Sequence, residues 1–337
     1  MFALLAASPA AFAAVALLFG LLIGSFLNVV IYRLPIMLER QWRAECAELS
    51  SAAAGVAAAE ALQGSTSASA SNGQPAPLPV AGTAAAVQAD RLAPSATTEP
   101  RFNLAVPRSV CPACRAPIKA IHNIPILSYL ALRGRCASCH AHISLRYPAV
   151  ELLCGLATAA VALRFGFHFP AACAAVVTWI LIALAMIDYD TQLLPDSLTL
   201  PLLWGGLLAS LAAWKLPGAS LPVDPRSALL GAAAGYLFLW SVYHVFRLAT
   251  GKEGMGYGDF KLLGALGAWL GWQMLLPIVL LAALVGAIIG GSLILAQRTQ
   301  RGNPIPFGPF LAAAGWIAMM WGPELVARYL GLYAHHG

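Results

Sequence analysis

Eight stretches of the chain are apolar over most of their length, and polar or proline-containing segments separate them. An α-helix that crosses the hydrocarbon core of a bilayer needs roughly 20 such residues. The pattern therefore predicts an all-α polytopic membrane protein with about eight transmembrane helices. The predicted helices cover 11–33, 148–165, 170–187, 197–214, 228–246, 260–272, 274–296 and 307–330, and the sixth of them is short.

The first stretch, 11–33, has an alternative interpretation as a cleaved signal peptide. Such peptides begin with basic residues and contain a short apolar region. Here no Lys or Arg precedes the apolar residues, which continue as far as Ile31. We therefore expect an uncleaved first transmembrane helix.

A long segment, 34–147, separates the first two predicted helices. Its residues 51–100 contain seventeen alanines and no aromatic side chain. Such a composition cannot bury enough apolar surface to offset the entropy lost on folding, so we predict a disordered, low-complexity insertion there. Cysteine, isoleucine and tyrosine return further along, which predicts a small ordered module over 108–147. The remaining predicted helices form a transmembrane domain over 148–330.

The composition agrees with a membrane protein. Of the 337 residues, 60% are hydrophobic and 10% are charged, whereas soluble domains contain about 25% charged residues. A water-soluble globular protein is excluded, because folding leaves a large part of any domain's surface in contact with water. The formal net charge of +6 is compatible with binding to nucleic acid, and the distribution of the basic residues along the chain decides whether that explanation holds.

The positions of the basic residues favour a different explanation of that charge. Sixteen of the 20 Lys and Arg residues lie in 33–147 or in two later loops, 247–261 and 298–301, on the same side of the predicted membrane. Loops rich in Lys and Arg stay in the cytoplasm. We therefore expect the 34–147 loop to be cytoplasmic and both termini to face away from the cytoplasm. The charge reports orientation, so we expect a lipid bilayer and no nucleic acid as a partner.

Two Cys-x-x-Cys motifs lie in the predicted module. Cys111 and Cys114 form the first, and Cys136 and Cys139 form the second after 21 intervening residues. Each motif places two thiolates on one tight turn, and two such turns complete a tetrahedral zinc site. Two disulfides are the alternative, which the reducing cytoplasm disfavours. Four thiolates leave no open coordination position, so the predicted zinc ion is structural and not catalytic.

Acidic residues are scarce, and two groups of them lie at predicted membrane boundaries on the same face. Asp188, Asp190 and Asp196 follow the third predicted helix, and Asp259 precedes the sixth. Two carboxylates that meet beside a low-dielectric layer share a single proton. Aspartic proteases use this arrangement, in which the ionised partner takes a proton from water and the protonated one polarises the scissile carbonyl. The residues alone do not decide which acid of the first group pairs with Asp259.

A second interpretation of these acids stays open, in which Asp188 and Asp259 are boundary residues and Asp259 caps the sixth helix. Gly256 and Gly258 favour the catalytic interpretation. Glycine lets a backbone approach closely and adopt positive φ, as an extended substrate beside Asp259 would require.

A function of a different class also uses intramembrane acids. A proton- or metal-coupled transporter would employ them as a relay, with the cysteines as a zinc-sensing loop. Such a protein is expected to have acids at the bilayer midplane and an internal repeat, and the sequence shows neither. Glu151, about one turn into the second predicted helix, is instead expected to pair with Arg146 or to form a hydrogen bond between helices.

Together these motifs resemble the type IV prepilin peptidases, a family of leader peptidase/N-methyltransferases that carry the GxGD motif of aspartic membrane proteases. The resemblance covers nearly the whole chain. Residues 51–100 are longer than the loop that the family needs. The matching segments are 24–35, the two cysteine motifs, 123–130, 146–148, 188–196, 251–261 and 304–309.

The resemblance implies a bifunctional enzyme of the bacterial inner membrane, with its active site facing the cytoplasm and both termini in the periplasm. As an aspartic endopeptidase it would cleave the leader from type IV prepilins and type II secretion pseudopilins. As an N-methyltransferase it would methylate the new N-terminal residue with S-adenosylmethionine. Asp188 and Asp259 match the catalytic aspartates of the family, and Gly134 is the implied contact for S-adenosylmethionine.

Further residues are expected to lie near the peptidase site or to meet its substrate. Acids among them would attract a basic leader peptide. These residues are Asp190, Asp196, Glu151, Glu253, Lys261, Gly256 and Gly258. Of these, Asp190, Asp196 and Glu253 are the acids expected to receive the leader.

Overall fold

The computed structural model describes residues 8–69, 102–106, 109–111, 113–118, 124–215, 223–252, 254–296 and 306–334. Within them the regular structure is helical apart from two isolated β-bridges, so the prediction of an all-α protein is confirmed. The helices are α1 Pro9–Ser69, α2 Leu127–Ala131, α3 Arg146–Phe165, α4 Phe169–Thr191, α5 Asp196–Lys215, α6 Pro225–Thr250, α7 Tyr257–Leu270, α8 Leu275–Leu295 and α9 Gly308–Ala334, with a 3₁₀ turn at Trp272–Met274.

Seven of the described helices are long and apolar enough to cross a membrane, namely all except α2 and α7. The predicted sixth membrane helix corresponds to α7, which has 14 residues. Such a helix is about 21 Å long, shorter than the roughly 30 Å of the hydrocarbon core. Nine of the residues of α7 are buried within the protein. The sixth predicted helix is therefore a short, buried helix, and the other helices surround it.

The first helix does not end at residue 33 as predicted. It continues to Ser69 and includes Pro35. The alanines that suggested disorder are also the strongest helix formers, and the polar part of α1 gains i,i+4 pairs such as Arg43–Glu39, at 2.6 Å. Helical backbone therefore replaces the predicted disorder over 51–69. Residues 70–100, the rest of the predicted insertion, lie outside the described residues.

The chain divides into two compact units, 1–35 with 109–337, and 36–108. The first unit contains the helix bundle and both cysteine motifs. In this bundle α7 is fixed by its crossing with α6, where the two backbones touch. A Cβ atom on Gly231 would lie 2.2 Å from the carbonyl oxygen of Gly267, and one on Gly267 would lie 2.1 Å from that of Gly231. Small residues at helix crossings in membranes allow such an approach.

Hydrogen bonds between side chains connect the other helices that position the site. The indole Nε1 of Trp179 in α4 donates to Thr158 Oγ1 in α3 at 2.9 Å. Trp316 Nε1 in α9 donates to Thr178 Oγ1 in α4 at 3.1 Å. In an apolar bundle these bonds satisfy polar groups that would otherwise be left without partners. They fix α4 between α3 and α9.

The α6–α7 crossing generates a stability prediction. A Gly267→Ala substitution places a methyl group against backbone atoms that cannot turn away, so we expect the free energy of unfolding to fall by about 2 kcal/mol or more. Gly291→Ala in α8 is the matched control, since a Cβ atom there meets nothing within 4 Å. Thermal unfolding in detergent measures both variants. Equal melting temperatures for the two would contradict the described crossing.

Candidate active site and metal centre

Asp188 and Asp259 are brought together in the bundle. Asp188 lies in the last turn of α4, which ends where Gln192 adopts a left-handed conformation, and Asp259 lies in the first turn of α7. Their side chains belong to residues that are only 5% and 6% exposed. The charge of Asp188 acts directly on Asp259. Two buried carboxylates from different helices are therefore close enough to influence each other, and their action as a catalytic pair stays a prediction.

A third segment completes this site. The backbone N–H of Gly308, at the start of α9, donates a hydrogen bond to Asp188 Oδ2 at 3.0 Å. The sequence reasoning used 304–309 only as part of a resemblance and assigned Gly308 no role. Glycine and proline at the start of an apolar stretch mark a helix N-terminus, and the N–H groups of a first turn are free to bind a carboxylate. That signal was available in Gly308-Pro309.

The two glycines before Asp259 do not have the backbone conformation that was predicted for them. Gly256 is the N-cap of α7 with φ −80°, and Gly258 is not among the glycines with positive φ. The expectation of positive φ at these positions is therefore wrong. Asp259 is the third residue of α7 and not its N-cap, but its carboxylate accepts a hydrogen bond from the backbone N–H of Gly256, as the third residue of a capping box does. A Cβ atom on Gly258 would lie 2.6 Å from Leu194 Cβ. Glycine is needed here because α7 begins in close contact with the segment that precedes α5.

The other acids of the first group are paired with cations. Asp190 accepts two hydrogen bonds from Arg146, at 2.7 Å and 2.5 Å. Asp196 accepts two from Lys261 Nζ, at 2.6 Å and 2.7 Å. The expectation that these acids wait to receive a basic leader is weakened, since each already has a basic partner. Glu253, the remaining acid of that expectation, lies outside the described residues.

Glu151 is the third buried acid of the described residues, and it is not paired with Arg146 as one expectation had it. Its Oε2 accepts a hydrogen bond from the backbone N–H of Ile126 at 2.9 Å, and the Ser25 side chain in α1 also contacts it. The expected hydrogen bonding between helices is thus present. Asn28 of α1 adds a bond from Nδ2 to the Tyr147 carbonyl at 3.1 Å. These bonds attach the start of α2 to the α1–α3 crossing.

The four cysteines of the two motifs converge on one point. Their Sγ atoms lie within 4.8 Å of one another, and Cys111 Sγ is 3.9 Å from Cys139 Sγ. Four thiolates around zinc at about 2.3 Å are about 3.8 Å apart. None of the four forms a disulfide. The donor set and its spacing therefore fit a tetrahedral zinc ion, and the disulfide alternative is not what the structure contains.

The two cysteine turns have the same backbone pattern. Cys111 N–H donates to the Ala116 carbonyl at 3.0 Å, and Cys136 N–H donates to the Ala141 carbonyl at 2.9 Å. The residue after each second cysteine has positive φ, 57° at Arg115 and 56° at His140. Such repeated turns hold each pair of thiols on one side, which is the geometry that a shared metal ion requires.

The thiols of this cluster differ in acidity. Backbone N–H groups of Cys139 and Ser138 lower the pKa of Cys136 to about 6. The pKa of Cys139 is lowered by the Ala141 backbone but raised more by Cys114, desolvation, Cys136 and Cys111, and it reaches about 11. Without a metal ion Cys139 therefore keeps its proton at neutral pH. A divalent cation removes this difference, because it stabilises all four thiolates.

Gly134, the implied contact for S-adenosylmethionine, has a clear role within the module. Its φ of 69° is unfavourable for other residues, and a Cβ atom there would lie 2.7 Å from Tyr129 Oη. Its N–H donates to the Tyr129 carbonyl at 2.9 Å, and its carbonyl accepts from Ile143 N–H at 2.8 Å. Gly134 thus joins α2 to the second cysteine turn. A contact with the methyl donor stays a prediction.

Comparison with known proteins identifies the family. The profile described as Bacterial Peptidase A24 N-terminal domain matches residues 18–165, and that of the Type IV leader peptidase family matches 175–291. The Prepilin leader peptidase/N-methyltransferase of Aeromonas salmonicida (strain A449) is 49% identical over 313 residues, which are 93% of this chain and 92% of that protein. The chain belongs to the type IV leader peptidase family.

Other relatives of this type IV leader peptidase family member bear the same name. The proteins of Stutzerimonas stutzeri and Pseudomonas aeruginosa are 47% and 46% identical over 326 residues, 97% of this chain and 96% of each relative. No solved structure matches the chain. The resemblance is confirmed, and the chain is an enzyme of an aspartic peptidase family. The transporter interpretation is not supported by these comparisons.

The metal centre generates a prediction about composition. Purified protein should contain one zinc ion per chain, and Cys136→Ser should lose most of it because three thiolates bind zinc less tightly than four. Cys46→Ser, at an exposed cysteine outside the cluster, should keep the wild-type content. Elemental mass analysis measures all three proteins. Wild-type zinc content in the Cys136→Ser protein would show that the cluster is not the site.

Proposed function

We propose that this protein is a prepilin leader peptidase/N-methyltransferase. It cleaves the leader of type IV prepilins and type II secretion pseudopilins at the cytoplasmic face of the bacterial inner membrane, and it then methylates the new N-terminal residue. The observation that carries the peptidase half is the buried pair Asp188 and Asp259. The names of the relatives support both halves.

The pair can hydrolyse a peptide bond without a metal ion at the reacting atoms. Ionised Asp188 takes a proton from water while the water oxygen bonds to the scissile carbonyl carbon, and Asp259 gives its proton to the carbonyl oxygen. In the second step the carbon–nitrogen bond breaks, and the leaving nitrogen takes the proton from Asp188. The hydroxyl group returns its proton to Asp259, which regenerates both starting states and leaves a free amino terminus.

The pairing of the other acids supports this choice of residues. Asp190 and Asp196 each have a cation within hydrogen-bonding distance, so their carboxylate oxygens already have hydrogen-bond donors. A general base must reach water, and its partner must hold a proton. Among the described acids, Asp188 and Asp259 are two buried carboxylates close enough to act on each other electrostatically. We therefore assign Asp190 and Asp196 to their ion pairs and not to the reaction.

The methyltransferase half rests on the relatives' names. S-adenosylmethionine, when bound, supplies the methyl group for the new amine. The four cysteines Cys111, Cys114, Cys136 and Cys139 would hold zinc and keep the two cysteine turns together for that reaction. Gly134 is the one residue we propose near the methyl donor, and its described contacts are all within the module.

The proposed orientation follows from the site and the basic residues together. The Lys261–Asp196 hydrogen bonds and the proximity of Asp188 to Asp259 support a common face for the end of α4, the start of α5 and the start of α7. That face carries the excess of Lys and Arg in the sequence and is therefore assigned to the cytoplasm. We assign both termini to the periplasm, which counts α7 as a crossing completed inside the bundle, although this helix alone is too short to span the bilayer.

The central prediction concerns four single substitutions. Asp188→Asn and Asp259→Asn should each lower the rate of leader cleavage at least about 100-fold, because each removes one half of an acid–base pair. Asp190→Asn and Asp196→Asn are matched controls that remove an acid of the same segment. They should keep most of the rate, since exposed ion pairs contribute at most about 1 kcal/mol. Leader loss is followed by mass analysis of a prepilin incubated with the purified variants.

A second readout in the same samples separates loss of chemistry from loss of folding. All four variants should still methylate a pilin whose leader was removed beforehand. If Asp188→Asn and Asp259→Asn cleave the prepilin at the wild-type rate, the assignment is wrong. If Asp190→Asn or Asp196→Asn abolishes cleavage while methylation persists, that acid is catalytic in place of the assigned one.

A further inference from the structure

Gly308 is the residue of α9 that contacts the aspartate pair. It is buried, and its N–H donates to Asp188 Oδ2 at 3.0 Å across 120 positions of sequence. The contact is made by the backbone, so the donor has no side-chain rotamer to lose and no proton to exchange with the substrate. A carboxylate bound in this way is held in position, with one of its oxygens occupied as an acceptor.

The space around Gly308 is as specific as its hydrogen bond. A Cβ atom on this residue would lie 2.5 Å from Asp188 Oδ2, 3.0 Å from Cγ and 3.3 Å from Cβ. Real Cβ atoms do not approach other atoms as closely as the first of these distances, so one of the two segments must move if a side chain is added. The whole carboxylate of Asp188 therefore occupies the volume that a side chain at this position would need.

The start of α9 is held against α4 by a second contact. Trp316, about two turns further along α9, donates from Nε1 to Thr178 Oγ1 of α4 at 3.1 Å. Between these two contacts Leu311 is fully buried in the core. Because α9 contacts α4 at both points, the start of α9 cannot simply move away from Asp188 when a side chain is added at Gly308. The strain of an added side chain falls on the carboxylate.

We propose that Gly308 is a positioning residue for leader cleavage. Its N–H fixes Oδ2 of Asp188 and its missing side chain leaves room for that carboxylate, so that Oδ1 faces Asp259 and the attacking water. This inference rests on the proposed function, in which Asp188 takes the proton from water. It adds a third segment, the start of α9, to a site that the two aspartates alone would confine to the end of α4 and the start of α7.

Gly308→Ala tests this inference, and Gly315→Ala is its matched control. Both glycines lie on α9, and a Cβ atom at either position would meet another atom at 2.5 Å. At Gly315 that atom is Cδ2 of Leu266, whose Cδ1 and Cγ follow at 2.6 Å and 3.1 Å. Leu266 is buried in the core, so this substitution strains the packing of α9 and leaves Asp188 in place. The two substitutions therefore add the same methyl group to the same helix. They differ in whether that group displaces Asp188.

We expect Gly308→Ala to lower kcat for leader cleavage by about 100-fold, the scale of a lost general base. KM should stay within about 3-fold, because substrate binding does not depend on the carboxylate that activates water. Methylation of a pre-cleaved pilin and the zinc content should match those of the wild type. Gly315→Ala should keep kcat within about 3-fold.

Three results would overturn the inference. The first is a wild-type kcat in Gly308→Ala. The second is an equal loss of kcat in both variants, which would indicate general damage to α9. The third is a parallel loss of cleavage, methylation and thermal stability in Gly308→Ala, which would make the glycine structural. The proposed function fails separately, if the wild-type protein does not cleave a prepilin or if Asp188→Asn still does.

Discussion

Two carboxylates held against each other inside a helix bundle are costly to keep there, because burial disfavours charge and like charges repel. The rest of the bundle can be understood from this constraint. The Gly231–Gly267 crossing presses α7 into the protein and carries Asp259 with it. The Gly308 amide holds Asp188 from the opposite side. A site that is unfavourable for stability is retained by glycine contacts that add no further charge.

The surrounding charges follow from the same constraint. Arg146 binds Asp190 and Lys261 binds Asp196, so the nearby acids at the membrane boundary are compensated while the buried pair is not. The Arg146–Asp190 pair also joins the first residue of α3, next to the cysteine module, to the helix that carries Asp188. The module and the peptidase site are thus adjacent in the fold, which suits two reactions on the same end of one substrate.

Sequence reasoning predicted the parts of the fold that depend on composition and spacing. Apolar length gave the membrane helices, and the Cys-x-x-Cys spacing gave the cluster whose Sγ atoms meet. It missed the continuation of α1 to Ser69, because alanine-rich sequence is compatible with either helix or disorder. Of the two roles expected for Glu151, the ion pair with Arg146 is absent, and the hydrogen bonding between helices is present through Ser25, together with the amide of Ile126 that no pattern indicated. A hydrogen bond to a backbone amide does not depend on the side chain of the donor residue, so the amino-acid sequence contains no sign of it.

The choice among the acids of 188–196 shows the same limit. Three aspartates within nine residues are equivalent in composition, and only the packing of α4, α7 and α9 shows that Asp188 is buried while Asp190 and Asp196 meet cations. Gly308 was accessible to sequence reasoning as a helix start, but its contact with Asp188 spans most of the transmembrane domain. Long-range contacts of this kind depend on helix packing and not on local sequence.

The claim that Asp188 and Asp259 form one coupled pair is tested most directly by a double-mutant cycle on stability. The measurement is the free energy of unfolding, in one detergent at about pH 8, of the wild type, Asp188→Asn, Asp259→Asn and the double variant. Each single substitution should stabilise the protein, since it removes the repulsion between buried carboxylates. The double variant should gain less than the sum of the two, because that repulsion can be removed only once. Strictly additive effects, or destabilisation by both single substitutions, would contradict the account.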